Sequence, residues 1–214
     1  ILASPIFFYS VTSQVKALTT NGTVTLINGT FDWAYEEEFY CRDGFRWSPD
    51  SKAIAYWQID TSGVPEFTLV NNTEALYPRL TTFAYPKVGQ QNPACRVGVV
   101  AATGGETRWM NVPGDPREHY LARLSWTPDS KRLLLQQLNR RQNTNLVLLA
   151  DPGTGQVSTV LTERDDAWVD VNDEWKWLAD GQRFTWISDR DGWRHVYLAS
   201  CDGQDAKLAT PGQF

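Results

Sequence analysis

The sequence predicts an all-β chain, a partial β-propeller of about four blades built from antiparallel four-stranded sheets. Three observations predict it. A Trp–turn–strand unit recurs along the chain, short β-prone runs alternate with turns rich in Gly, Pro and Asp, and no segment sustains a 3.6-residue apolar period.

The repeat is explicit. Phe45-Arg46-Trp47-Ser48-Pro49-Asp50-Ser51-Lys52 is echoed by Leu124-Ser125-Trp126-Thr127-Pro128-Asp129-Ser130-Lys131, and more weakly by Trp175-Lys176-Trp177-Leu178-Ala179-Asp180-Gly181-Gln182. In each copy a Trp closes one strand, the Pro-Asp-Ser or Ala-Asp-Gly segment makes a tight turn, and an apolar run opens the next strand. Those runs are 53–57, 132–136 and 183–187. Further strands are expected at 97–101 and 108–110 about Gly104-Gly105, at 146–150 and 157–161 about Asp151-Pro152-Gly153, and at 196–199 and 206–209 about Asp202-Gly203. Little helix is expected, with one short turn of it over 34–39.

Repeat spacing is uneven. Trp47 and Trp126 lie 79 positions apart, Trp126 and Trp177 only 51. A blade takes roughly 40–50 residues, so the first interval holds either an insertion, expected around 71–91, or a further unit. A closed ring of seven or eight blades needs on the order of 300 residues. Open blade edges invite aggregation, so residues 1–214 are expected to be part of a larger protein, as the start at Ile1 rather than Met also suggests.

Composition excludes several classes. A net charge of −5 and a pI near 5.1 argue against a nucleic-acid surface, which needs clustered Lys and Arg. No apolar run approaches the ~18–20 residues of a membrane span. The opening Ile1–Tyr9 contains Pro5, lacks a basic flank and is too short for a signal peptide. Cys41, Cys95 and Cys201 are odd in number and show no metal-ligand spacing, so neither metal nor cofactor is expected, while one disulfide stays open. His119 and His195 pair with no nucleophile motif and are read as structural. Arg140-Arg141 is read as a solvated or ion-paired blade edge. Sequons at Asn21, Asn28 and Asn71 matter only in a eukaryotic secretory pathway.

The functional signal lies in Asp32-Trp33-Ala34-Tyr35-Glu36-Glu37-Glu38-Phe39. Three consecutive carboxylates stand between aromatics that bury large areas and hold the backbone still. Adjacent like charges repel unless a cation neutralises them. A fixed, partly desolvated carboxylate pair would receive an ammonium group through charge-assisted hydrogen bonds, as in capture of a peptide N-terminus. The plain alternative is a solvated acidic turn.

This octet resembles the double-Glu motif of the dipeptidyl peptidase IV family and its bacterial members. The similarity continues in order through Tyr85-Pro86-Lys87-Val88-Gly89 with Asn92-Pro93, His119-Tyr120-Leu121, Arg140-Arg141-Gln142-Asn143 and Asp191-Gly192-Trp193-Arg194-His195, covering about residues 20–214. The resemblance implies that 1–214 is part of an N-terminal eight-bladed propeller capping an α/β-hydrolase domain that lies outside this chain. It implies a serine exopeptidase that removes Xaa-Pro or Xaa-Ala dipeptides from peptide N-termini, with the triad in the missing domain. Carried over by position, Glu37 and Glu38 bind the substrate α-ammonium, while Glu36 and Tyr35 support them. Cys41 stands where mammalian members have a small polar residue lining the same pocket; a buried inert thiol is the other reading. The implied partners are peptides with a free N-terminus, the hydrolase domain and a second copy in a homodimer. The implied compartment is periplasmic or extracellular.

Departures accompany the resemblance. The chain contains no Gly-x-Ser-x-Gly elbow. The family's substrate-holding propeller arginine lies upstream of the double-Glu segment, yet no arginine occurs between Ile1 and Thr30. Trp168–Asp173 replaces an aromatic–arginine pair of the extended subsite. Two rival readings follow: a non-catalytic propeller that binds peptides or proteins, and a scaffold propeller related only through the Trp repeats.

Overall fold

The computed structural model describes residues 6–9, 15–204 and 206–213. Most of the apolar opening falls on Ile1–Pro5, outside the described residues. Strands β1 (Phe7–Tyr9) and β2 (Val15–Ala17) form an antiparallel ribbon.

The first full sheet is built on an interrupted edge strand. Strand β3 (Leu26–Asn28) and, after helix α1 (Trp33–Phe39), strand β4 (Phe45–Trp47) both pair antiparallel with the same side of β5 (Ala53–Asp60). Leu26 faces Asp60 and Asn28 faces Gln58, then Phe45 faces Tyr56 and Trp47 faces Ile54. Residues 29–44 are thus an excursion out of one edge strand. Its two ends are pinched together: Gly44 N–H donates to Gly29 O (3.1 Å), Gly29 N–H to Trp57 O (2.9 Å) and Trp57 N–H to Gly44 O (3.0 Å). A Cβ on Gly44 would lie 2.5 Å from the Gly29 carbonyl carbon, so only glycine closes this neck.

Between β5 and β8 (Ala94–Ala101) the chain leaves the sheet as a hairpin of β6 (Glu66–Asn71) and β7 (Arg79–Ala84). The long first repeat interval is therefore an insertion. It begins at 66, before the expected 71. Strand β9 (Arg108–Trp109) completes the sheet.

Two four-stranded meanders follow. The second sheet runs β10 (His119–Trp126), β11 (Leu133–Asn139), β12 (Thr144–Ala150) and β13 (Val157–Arg164). The third runs β14 (Lys176–Trp177), β15 (Arg183–Ser188), β16 (His195–Ser200) and β17 (Lys207–Leu208). A ribbon and three blades make the partial propeller the repeats predict. Trp47, Trp126 and Trp177 each end a strand, as expected. The turn that follows is the same in each copy: Ser51, Ser130 and Gly181 all sit at φ near +60°, with the Ser48 or Thr127 hydroxyl on Asp50 or Asp129 at 2.7 Å in the first two.

Blades are joined by apolar cores and by tryptophan donors. One core, with Phe31, Tyr35, Phe39, Trp57, Leu121 and Leu135, lies between the first and second sheets; another, with Leu134, Val147, Phe184 and Trp186, lies between the second and third. Trp57 Nε1–H donates to Leu121 O (2.7 Å), and Trp126 Nε1–H returns a bond to Arg46 O (2.9 Å). A buried indole thus satisfies its one donor on the neighbouring blade.

Candidate functional site

Helix α1 places the acidic triplet. Asp32 caps it, its Oδ1 accepting from Tyr35 N–H at 3.3 Å. Tyr40, in the left-handed region at φ 55°, ends it. Ala34, Tyr35 and Phe39 point into the core, leaving Glu36, Glu37 and Glu38 on the outward arc. Glu36 is half-buried, while Glu37 and Glu38 are exposed. The expectation of a partly desolvated pair is therefore corrected: the inward i, i+4 aromatics hold the helix, but they cover neither carboxylate. Neither Glu37 nor Glu38 forms a hydrogen bond or ion pair with any described residue, so the charges are available to a ligand.

The helix is held by residues far away in sequence. Tyr35 is buried, stacks on Phe31 (5.6 Å between centroids) and accepts the Leu121 N–H on its hydroxyl (3.1 Å). Burial holds its pKa well above the usual phenol value. Phe39 meets Tyr120 at 5.0 Å, whose hydroxyl accepts from Asn92 Nδ2 (2.8 Å). Trp33 lies against Tyr85 at 4.2 Å. The motif pieces at 85–93 and 119–121 thus converge on α1. Tyr35 holds the backbone of α1 in the core and does not line the cavity described next.

A cavity of about 600 Å³ opens beside Glu38, with Arg123, Glu163, Trp168, Asp173 and Arg190 in its lining. Of the three glutamates only Glu38 lines it; Glu37 lies about 100° further round the helix. Cys41 does not line it. The left-handed turn at Tyr40 sends Tyr40 outward and Cys41 inward, where its Sγ–H lies near Phe39 O (3.7 Å) and Ala122 O (3.5 Å). Burial pushes the Cys41 thiol up to about 11, against the pull of Arg123 and Arg46. Cys41 is thus a buried free thiol outside the lining of this cavity.

The far wall is residues 165–174, pinned without regular structure. Buried Gln136 donates to Asn172 O (2.6 Å) and accepts Asn172 N–H (3.0 Å), imitating a strand partner. Asn172 Nδ2 donates to Ile187 O (2.9 Å), and Val169 N–H donates to Gln142 O (2.7 Å). Glu163, buried at the base, accepts from Trp186 Nε1 (3.0 Å), Ser188 Oγ (2.8 Å) and Arg190.

Arg123 is the residue that sequence reasoning missed. It comes from the second sheet, where a bulge between Leu121 and Arg123 breaks the strand register. Its Nε and Nη2 bond the Asp173 carboxylate at 2.5 and 2.8 Å, and its Nη1 donates to Phe39 O (2.9 Å) and Ala122 O (2.7 Å). Burial alone would lower its pKa; the bonded Asp173 carboxylate outweighs that, and the pKa rises. The bulge is a register event between strands, which no local pattern reveals.

The other residues singled out in the sequence take the following places. Asn28 is buried and bonded to Asn21 and Gln58, so its sequon is inaccessible in the fold. His119 is buried, its pKa lowered by that burial, with Nδ1 facing Gln137 Nε2 at 2.9 Å; His195 Nδ1 faces Asp191 at 2.9 Å. Arg140 pairs with Glu118 at 3.1 Å. All three cysteines are free thiols. Among the described residues no cluster of metal-ligating side chains occurs, and no helix is long and apolar enough to cross a membrane.

Antiparallel four-stranded blades with an acidic helix pinched out of an edge strand define the chain as a segment of a β-propeller. The family described as the dipeptidyl peptidase IV N-terminal region matches residues 3–214, and the chain belongs to that family. It is 33% identical over 180 residues to the inactive dipeptidyl peptidase 10 of Mus musculus, covering 81% of this chain and 22% of the mouse protein. It is 29% identical over 219 residues to a probable dipeptidyl peptidase 4 of Emericella nidulans, covering 94% and 28%. The crystal structure of Porphyromonas gingivalis dipeptidyl peptidase 4 superposes with a TM-score of 0.84 at 28% identity, over 94% of this chain and 29% of that one. The chain thus spans under a third of the length of these relatives.

Proposed function

We propose that this chain is the propeller portion of a dipeptidyl peptidase IV-like serine exopeptidase that releases Xaa-Pro and Xaa-Ala dipeptides. In this reading Glu37 and Glu38 anchor the substrate α-ammonium, and an α/β-hydrolase domain elsewhere in the protein supplies Ser, His and Asp. The carrying observation is the pair of exposed, unpaired carboxylates on a helix that the core immobilises. Anchoring the amine at a fixed distance from the nucleophile acts as a ruler and contributes orientation, not bond-breaking chemistry. The propeller cavity would also gate access. A homodimer belongs to the same proposal.

In the full-length protein, Glu37→Gln and Glu38→Gln are each expected to lower kcat/KM for a free-amine Xaa-Pro anilide by at least ~30-fold. That is ~2 kcal/mol, the lower end for truncating one partner of a charge pair that the bound substrate and the hydrolase domain would bury. Equal kcat/KM in wild type and both variants would remove the assignment.

A second reading is favoured by the mouse relative, whose name marks it inactive. In that reading the carboxylates of this chain bind peptide N-termini without turnover. Calorimetry with an Xaa-Pro dipeptide and its N-acetylated form, run beside the hydrolysis assay, separates the two: binding without hydrolysis supports the non-catalytic reading.

A further inference from the structure

We propose that Arg123 and Asp173 are positioning residues for amine recognition, fastening the helix that carries Glu37 and Glu38 to the far wall of the cavity. This rests on the reading above of the two glutamates as the amine anchor. Helix α1 is only seven residues long, has no basic residue in its last turn, and ends at a left-handed residue. Its carboxy-terminal carbonyls need partners, and the Arg123 guanidinium supplies one at Phe39 O, next to Glu38.

The other edge of the same guanidinium grips both oxygens of Asp173. A planar five-donor fork serves both contacts at once, which a lysine ammonium cannot do. Asp173 follows Asn172, whose backbone is locked by Gln136, a fully buried residue of β11. A rigid relay therefore runs from the core of the second blade through 172–173 and Arg123 to the residue after Glu38. Arg123 lines the cavity beside Glu38, but both edges of its guanidinium are engaged by Asp173 and the Phe39 carbonyl, so it acts through where Glu38 stands. Sites displaced by an ångström lose much of their orientation advantage.

The test is a mutant cycle in the full-length protein with Gly-Pro p-nitroanilide: wild type, Glu38→Gln, Arg123→Met, Asp173→Asn, and Glu38→Gln with Arg123→Met. Where turnover is absent, the Kd of Gly-Pro by calorimetry replaces KM. Arg123→Met is expected to raise KM roughly tenfold while kcat stays within about twofold. Asp173→Asn, at a carboxylate that is more than half exposed, is expected to raise KM roughly threefold. Arg123→Lys is expected to regain thermal stability without regaining KM. In the Glu38→Gln background, Arg123→Met should add less than about twofold, because both changes remove one interaction. Unchanged KM in Arg123→Met and Asp173→Asn, or full additivity with Glu38→Gln, overturns the clamp while leaving the amine anchor standing. Unchanged kcat/KM in Glu38→Gln removes Glu38 from the anchor and the clamp with it.

Discussion

Asp32 holds two opposed roles. Its Oδ1 caps α1, yet its Oδ2 is buried with no partner among the described residues. Burial raises its pKa from 3.8 to about 6, overcoming the lowering by the Tyr35 and Ala34 backbone N–H groups. Because the folded-state pKa is raised, its contribution to stability is fully present below pH 3.8 and is lost as pH rises through about 6. Asp32→Asn keeps a good cap without the charge. Its stability relative to wild type should therefore grow between pH 4 and 7 by on the order of 3 kcal/mol. Thermal unfolding of both proteins across that range measures the difference; a constant offset would mean that Asp32 does not titrate there. The exposed carboxylates of the repeat turns have lowered pKa values and push the opposite way in both proteins, so the comparison cancels them.

At the scale of elements, the site depends on the neck of the 29–44 excursion. Gly44→Ala sets a methyl against the Gly29 backbone, and the two halves of the edge strand must separate. We expect a loss of about 1–3 kcal/mol, the usual range for overpacking, together with a raised KM for free-amine substrates as α1 shifts. Gly181→Ala is the control. Its Cβ meets nothing within 4 Å, and only φ +62° resists the substitution, so a loss of about 1 kcal/mol with unchanged KM is expected. Equal KM in both variants would separate the neck from the site. The repeat turns were legible because Ser51 and Ser130 occupy the position that Gly181 takes in the weakest copy. The split of one edge strand into β3 and β4 was not, since its halves meet only on β5.

Over the whole molecule, the β6–β7 hairpin stands off the blade with Leu69, Val70, Leu76, Tyr77 and Leu80 exposed. It is the surface on which to test the proposed homodimer. Leu76→Asp combined with Leu80→Asp in the full-length protein is expected to turn dimer into monomer in sedimentation velocity at micromolar concentration. An unchanged sedimentation coefficient would exclude this hairpin as the contact. The change should leave KM alone, because these side chains do not line the cavity at Glu38.

By itself the sequence determined the blade class, most strand positions and the acidic helix. These follow from turn chemistry and local period, which act over a few residues. The tertiary structure alone decided that Glu38 and not Glu37 faces the cavity, that Cys41 turns inward, and that Arg123 reaches both Asp173 and Phe39. Each of these depends on strand register, a bulge or a left-handed turn that brings together residues 50 or more positions apart. Such contacts are set by how blades stack, and no window of local sequence contains them.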